Sequence, residues 1–410
     1  MTAHDSPASA TTTTVAPWWR RHATEIVLNL AAILIIPVVA ARLWERYSEA
    51  MYQFGVGNLM SMLAGNGGWT DIGWEVASAK ALVEPGFSAY DSLEAIHPLI
   101  GMELAFQDFS SHSHPPMSIP LGLPLVPFDY ATWLPYWIVV ALLMIAWSMR
   151  LLGVPAHLAY PIALLISLTV PGRWGLVSTY PVSALFVSWA WHSRQRWGQA
   201  GLAYGLLGAT RGIGLLLLLY PLARRQWRAI LIALATVAVL LGIALVIEPD
   251  ALTQWLTTSR ASIEANMQRD DLLTLGSILA RQEVAEFWAY VIAAVIAIAA
   301  LWRGSNLFWV LNWVILAVSP IAWFHTVLLG IPLMVMMWRA GRFGRIAVLV
   351  IAASAMTQLV DPMVTLVFSI TWITFVVASG LTLLVDQVGP REEIPLISRA
   401  RAAWRPSRAR

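Results

Sequence analysis

Along this chain, apolar runs of roughly membrane-spanning length alternate with short turns, and the turns carry most of the charge. The first run covers 26–41; others follow at 132–149, 155–170, 176–191, 230–247, 287–302, 306–319, 321–338, 346–360 and 363–385. Runs of this kind predict transmembrane helices, since about 20 apolar residues cross a hydrocarbon core of about 30 Å. Two longer polar stretches interrupt the series, at about 43–114 and 248–286. Within the first, Asp71–Glu84 has a helical period. Ile72, Val76, Ala79 and Val83 share one face, and Asp71, Glu75 and Ser78 share another. This spacing predicts an amphipathic helix lying at the membrane surface. The apolar segment 115–127 carries five prolines, which favours a re-entrant or interfacial path over a straight crossing.

Charge adds the orientation. Short basic turns mark the cytoplasmic side of a membrane protein. Arg20 and Arg21 precede the first run, Arg194 and Arg196 follow the run at 176–191, Arg303 follows 287–302, and 339–345 separates two later runs. The first run therefore enters from the cytoplasm, and both long polar stretches fall outside. The segment 198–222 is about one span long, yet Arg194 and Arg196 stand before it and Arg224, Arg225 and Arg228 after it. Two half-length helices turning near Ala209–Gly212 satisfy those charges better than a crossing. Ten crossings and one hairpin result. Residues 1–22 are a small, polar tail expected to be disordered and cytoplasmic, 23–385 form the membrane domain, and 386–410 form a basic cytoplasmic tail suited to anionic headgroups.

Composition excludes the other broad classes. Hydrophobic residues make up 58% and charged residues 12% of the 410, against about 25% charged in a soluble domain. Mean hydropathy is +0.67. The absence of cysteine removes disulfides, thiolate metal sites and cysteine nucleophiles. The 22 tryptophans suit interfacial belts, and aromatic faces also serve sugar clefts.

Few residues remain that could carry chemistry. Asp71 opens the predicted outer helix, where it is either a first-turn acid complementing the helix dipole or a general base at the mouth of a cavity. His325 lies at the outer end of a span, suited to sit among headgroups or to donate to a lipid-linked phosphate. Arg211, at the turn of the predicted hairpin, would cost about 2.5–3.5 kcal/mol to insert and is a functional candidate by that cost. It pairs with an internal partner or grips a phosphate. Arg173 and Arg281 are further basic candidates near the outer face. His112 and His114 form an HxH pair, but no carboxylate at ligand spacing completes a metal site.

Several of these segments together resemble glycosyltransferase family 87, whose members are GT-C-fold mannosyltransferases using polyprenyl-phosphate-mannose. Asp71-Ile-Gly-Trp-Glu-Val-Ala-Ser-Ala-Lys-Ala-Leu-Val, with Ala89-Tyr90-Asp91, resembles the family's first outer loop. His114-Pro115-Pro116 with Pro120 and Pro124 is similar to its aromatic-Pro-Pro segment. Leu207-Gly-Ala-Thr-Arg211, running to Arg224-Arg-Gln-Trp-Arg228, looks like its hairpin. Leu275-Gly-Ser-Ile-Leu-Ala-Arg281 and Ser319-Pro-Ile-Ala-Trp-Phe-His325 resemble the end of the second outer loop and a Ser-Pro-x-x-Trp-x-His motif. Arg211 stands for a lysine here, Ala89 for a proline and His114 for a tyrosine, and the family's Asn-x-Ser is not evident around 271–274.

The resemblance implies an all-α, GT-C-type bundle of about 10–12 transmembrane helices with amphipathic helices in its two outer loops. It implies sugar transfer, mannose first, from a polyprenyl-phosphate donor to a glycolipid or envelope glycan. Asp71 would be the base and His325 and Arg211 the donor-phosphate ligands, with Glu75, Tyr90, His114, Arg173 and Arg281 as substrate-binding candidates. No metal or other cofactor is expected, because the lipid-linked sugar is a co-substrate. The expected partners are that donor, a glycolipid acceptor and membrane lipids, with no nucleic acid. The expected place is the plasma membrane, both termini cytoplasmic and the site outside. A transporter or flippase of lipid-linked sugar, or an arabinofuranosyl transferase of the same fold, are the alternatives.

Overall fold

A computed structural model describes residues 22–53, 57–64, 71–101, 114–267, 287–319, 324–356 and 365–392, with isolated positions between 275 and 285. Regular structure among the described residues is helical, with no strand. The protein is an all-α polytopic membrane protein. Among the described residues, three helices are long and apolar enough to cross a membrane alone: Ala23–Met51, Tyr130–Leu151 and Trp227–Ile247. Shorter apolar helices stand at Ala156–Leu168, Phe287–Arg303, Leu307–Val318, Thr326–Ala340 and Ile370–Val385, beside the helix Tyr180–His192. Their outward faces are leucine, isoleucine and valine, exposed as lipid-facing surfaces are, while the interior is filled by tryptophan, phenylalanine and small residues.

The first helix differs from its expected length. It continues past Ala41 to Gln53, with a kink at Tyr47. Arg42 and Glu45, paired at 3.3 Å one turn apart, end the apolar run without ending the helix.

The segment 198–222 folds as a hairpin. Helix Trp197–Thr210 stops at Arg211, which is extended (φ −144°, ψ 101°), and the chain returns through the 3-10 turns of Gly212–Leu218 and the helix Leu219–Ala223. The first arm lies parallel to helix Trp227–Ile247, with Gly201 against Ala229 and Gly205 against Ala233 and Thr236. Glycine spaced by four on an apolar helix lets two backbones approach closely. A Cβ on Gly205 would stand 2.6 Å from the Thr236 Cβ and 2.8 Å from the Ala233 carbonyl oxygen. At the foot, Trp191, Tyr220, Phe308 and Trp309 interlock, with ring centroids 5.0 Å apart for Trp191–Trp309 and 5.4 Å for Tyr220–Phe308.

Basic turns gather at the foot's end of the bundle. Arg339 donates to the Leu152 carbonyl, and Arg224 meets Glu392 at 2.5 Å. Helix Thr365–Val385 ends where expected, but 386–392 pack onto the bundle rather than trailing from it. The Val388 carbonyl accepts from Asn306 N–H at 2.9 Å and Asp386 Oδ2 from Gly344 N–H at 2.8 Å. At the other end lie helix Asp71–Val83, the 3-10 turns Pro116–Leu121 and helix Ala251–Met267. Ser88 Oγ and the Ala89 N–H (3.1 Å) donate to Glu248, clipping the first polar stretch onto the second.

Gly205→Leu should destabilise the protein by about 1–3 kcal/mol through overpacking. Gly242, on the same helix pair but with nothing within 4 Å of an added Cβ, should accept alanine with no loss. Thermal unfolding of the two variants in detergent checks the contrast.

Candidate active site

Helix Asp71–Val83 forms where its periodicity places it, but it is covered on both faces. Trp74, Glu75, Ala77, Ser78 and Ala81 are buried along with Ile72, Val76 and Ala79, while Val83 is exposed. The turns His97–Ile100 and Pro116–Leu121 pack against it. Gly122 makes the second approach possible: a Cβ there would sit 2.7 Å from the Glu75 carbonyl oxygen. Glu75 and Ser78, two members of the polar stripe of this helix, therefore face protein.

Glu75, one turn beyond Asp71, is 3% exposed. Its carboxylate accepts from Ser118 Oγ at 2.9 Å and bonds His114 Nδ1. On the other side of the ring, Arg211 NH1 lies 2.8 Å from His114 Nε2. A guanidinium can only donate, so Nε2 accepts and the imidazole proton sits on Nδ1, directed at Glu75. His114 is thus a neutral bridge between a buried carboxylate and a guanidinium. Tyr90 fixes the bridge from behind, its hydroxyl donating to the His114 carbonyl at 2.9 Å. Burial, aided by the Glu75 and Glu248 carboxylates, holds the Tyr90 pKa far above its usual value, so this donor keeps its proton.

Arg211 continues the chain of contacts. NH2 donates to Thr179 Oγ1 at 2.8 Å, and the guanidinium carbon lies 4.2 Å over the Tyr180 ring, a cation–π contact. Its Nε is buried with no hydrogen-bond partner among the described residues. Thr326, next to His325, donates to the Tyr180 hydroxyl at 2.9 Å. The segment Val177–Tyr180 is therefore a junction. The Val177 carbonyl accepts the Ile72 N–H at 2.8 Å, seating the start of the Asp71 helix. The Leu176 carbonyl accepts Trp137 Nε1 at 2.9 Å, tying the junction to helix Tyr130–Leu151. The backbone of His325 lies in the 3-10 turns Phe324–Gly330, which pack on helix Val170–Leu176.

Of the residues singled out in the sequence, Glu75, Tyr90, His114 and Arg211 meet in one cluster. The backbones of Asp71 and His325 are anchored to its two sides. Arg173 stands on helix Val170–Leu176, outside these bonds, and Arg281 lies outside the described residues, as does His112. Sequence reasoning missed Ser118, Thr179, Tyr180 and Thr326. The polar triplet Ser178-Thr179-Tyr180 between two apolar runs was the available signal. No group of three histidines or acids that could hold a metal occurs among the described residues.

Below Arg211 an apolar trough of about 460 Å³ opens on the outer side of the hairpin. It runs from Gly212 past Leu216 and Leu219 to Leu222, with Ile230 opposite. A polar, charged cluster at one end of a helical membrane bundle, heading an apolar trough, is the layout of an enzyme acting on an amphiphile. The family model of glycosyltransferase family 87 matches residues 113–369, and the chain belongs to that family. It is a membrane glycosyltransferase. Asp71, Glu75 and Tyr90 precede the matched span; His114, Arg211 and His325 lie within it. No curated protein and no solved structure matches the chain.

A double-mutant cycle tests the bridge. Glu75→Ala and Arg211→Ala each leave an uncompensated charge, so the double variant should be less destabilised than the sum of the two. A coupling of about 0.5–3 kcal/mol is expected, read by denaturant unfolding; simple additivity would mean that His114 does not link them.

Proposed function

We propose that this glycosyltransferase moves a sugar, mannose first among candidates, from a polyprenyl-phosphate donor to a glycolipid or envelope glycan on the extracytoplasmic face of the plasma membrane. The observation that carries the reading is Arg211. Its guanidinium is held at the tip of a non-crossing hairpin, between the helix that Asp71 opens and the turn that holds His325, at the head of an apolar trough. A phosphate at Arg211 would leave its prenyl tail free to follow Leu216, Leu219 and Leu222 downward, which suits a lipid-linked donor. The first arm has 14 residues and rises about 21 Å, short of a hydrocarbon core of about 30 Å. The tip is thus within reach of a headgroup-level phosphate from below.

In this reading the Asp71 carboxylate takes the proton of the acceptor hydroxyl. The acceptor oxygen attacks the anomeric carbon as the bond from that carbon to the phosphate oxygen breaks. Polyprenyl phosphate departs with the bonding electrons, stabilised by Arg211 and His325. One displacement without a covalent intermediate inverts the centre, so a β-linked donor gives an α product. Glu75, His114 and Tyr90, being buried and bonded to one another, act on the reaction through Arg211. The concentration of basic turns at the opposite end of the bundle supports a cytoplasmic foot and an outer site.

Asp71→Asn should fold, insert and lose transfer by about 10²–10⁴-fold. Purified protein given radiolabelled polyprenyl-phosphate-mannose and a lipid extract would show this as loss of labelled glycolipid. Near-normal turnover would remove Asp71 from the mechanism, and label crossing a proteoliposome without a new product would replace transfer by transport. The chain has no cysteine, so single cysteines report sidedness cleanly. Glu94→Cys should react with an impermeant maleimide in intact cells, and Gln195→Cys only after permeabilisation.

A further inference from the structure

A second hollow, of about 520 Å³, lies at the end of the bundle away from Arg211 and takes no part in the site above. Helices Ala23–Gln53, Tyr130–Leu151, Tyr180–His192 and Trp197–Thr210 enclose it. Its lining is graded along its length. The inner part is apolar, with Ile33, Leu143 and Leu185 facing one another across it. Its mouth carries His192, Arg196 and Gln199, and Trp147 and Trp189 stand between the two zones. From Leu185 to His192 is two helical turns, or about 10 Å, so the polar mouth and the apolar shaft are well separated.

The mouth is cationic. Arg196 is exposed, and its side chain makes no hydrogen bond or ion pair with the described residues. His192 Nδ1 donates to the Leu151 carbonyl at 3.0 Å, which fixes the ring on the wall of the mouth. No acidic residue is among the described residues that line the hollow. The carboxylate one turn before Asn29, Glu25, is already taken: Arg150 holds it at 2.8 and 3.1 Å and Tyr160 at 3.0 Å. Asn29, on the wall, is likewise bonded to the Tyr160 hydroxyl at 2.9 Å.

We propose that this hollow binds one anionic phospholipid. The phosphate lies at Arg196, the Gln199 amide reaches the polar linkage region, and an acyl chain fills the shaft beside Ile33, Leu143 and Leu185. Charge complementarity selects the occupant: an apolar shaft takes any acyl chain, but an unpaired guanidinium at its mouth favours a headgroup with net negative charge. The tryptophans sit where indoles do at a membrane interface. The bound lipid would close the seam between the first helix and the rest of the bundle. Helix Ala23–Gln53 otherwise presents mainly apolar side chains to the bilayer.

The test uses the full chain reconstituted in bilayers of equal parts phosphatidylglycerol and phosphatidylcholine, with retained lipid read by native mass spectrometry. Wild type should retain phosphatidylglycerol in preference. Arg196→Gln should cut that retention about fivefold, the worth of one basic group near the surface. Arg342→Gln, an exposed arginine at the same end but outside the hollow, should leave retention unchanged. Equal retention of both lipids by wild type, no effect of Arg196→Gln, or equal loss in the two variants would each overturn the proposal.

Discussion

A guanidinium placed inside a membrane protein must find partners, and the architecture around Arg211 is organised by that requirement. The cation is held from three sides, by the His114 ring, the Thr179 hydroxyl and the face of Tyr180. A carboxylate is linked to it through His114, that of Glu75, on a helix more than a hundred residues earlier in the chain. An unpaired charge at such depth costs several kcal/mol, so the hairpin tip, the proline-rich 3-10 turns and the outer helix are each constrained by the others. None of the three can shift without breaking a buried bond.

The stem is fixed by other means. Glycines let the first arm lie directly on helix Trp227–Ile247, and an aromatic cluster grips the foot. Tyr220 and Arg224 are bound by Glu392 from the segment that follows the last helix. Apolar packing sets the height and direction of the tip, and polar bonds set the orientation of the guanidinium. The Val177–Tyr180 junction then relates that guanidinium to the start of the Asp71 helix and to the turn carrying His325. Three parts of the chain distant in sequence are thereby brought to one place.

Much of this is legible in the amino-acid sequence. Apolar runs located the helices, because lipid permits few alternatives to a helix. Basic residues on both sides of 198–222 disclosed the hairpin, and its break falls within the residues where the turn was expected. Other features left no readable trace. The stripe of Asp71, Glu75 and Ser78 looks like a wetted face, since a helical period separates polar from apolar but does not say whether the polar side meets water or a buried histidine. The first helix outlasts its apolar run because Arg42 and Glu45 are helix formers that merely leave the hydrocarbon. The bonds from Glu75 through His114 and Arg211 to Thr179 join residues with no shared spacing, so only the folded chain assembles them. The packing of 386–392 was hidden for the same reason: a stretch rich in charge reads as solvated even when its carbonyls and acids are cementing helix ends.

The hairpin also has a consequence for biogenesis. Because it enters and leaves by one face, it contributes nothing to the parity of the topology, and the second half of the protein keeps the handedness set by the first. An insertion machinery that threaded 198–222 as a complete pass would invert every later helix and carry the Phe324–Gly330 turns to the wrong compartment. Arg224, Arg225 and Arg228 stand directly after the returning arm, and their reluctance to be translocated works against that error. The same short basic turn that closes the hairpin therefore acts, during synthesis, as a checkpoint on the placement of every segment that follows it.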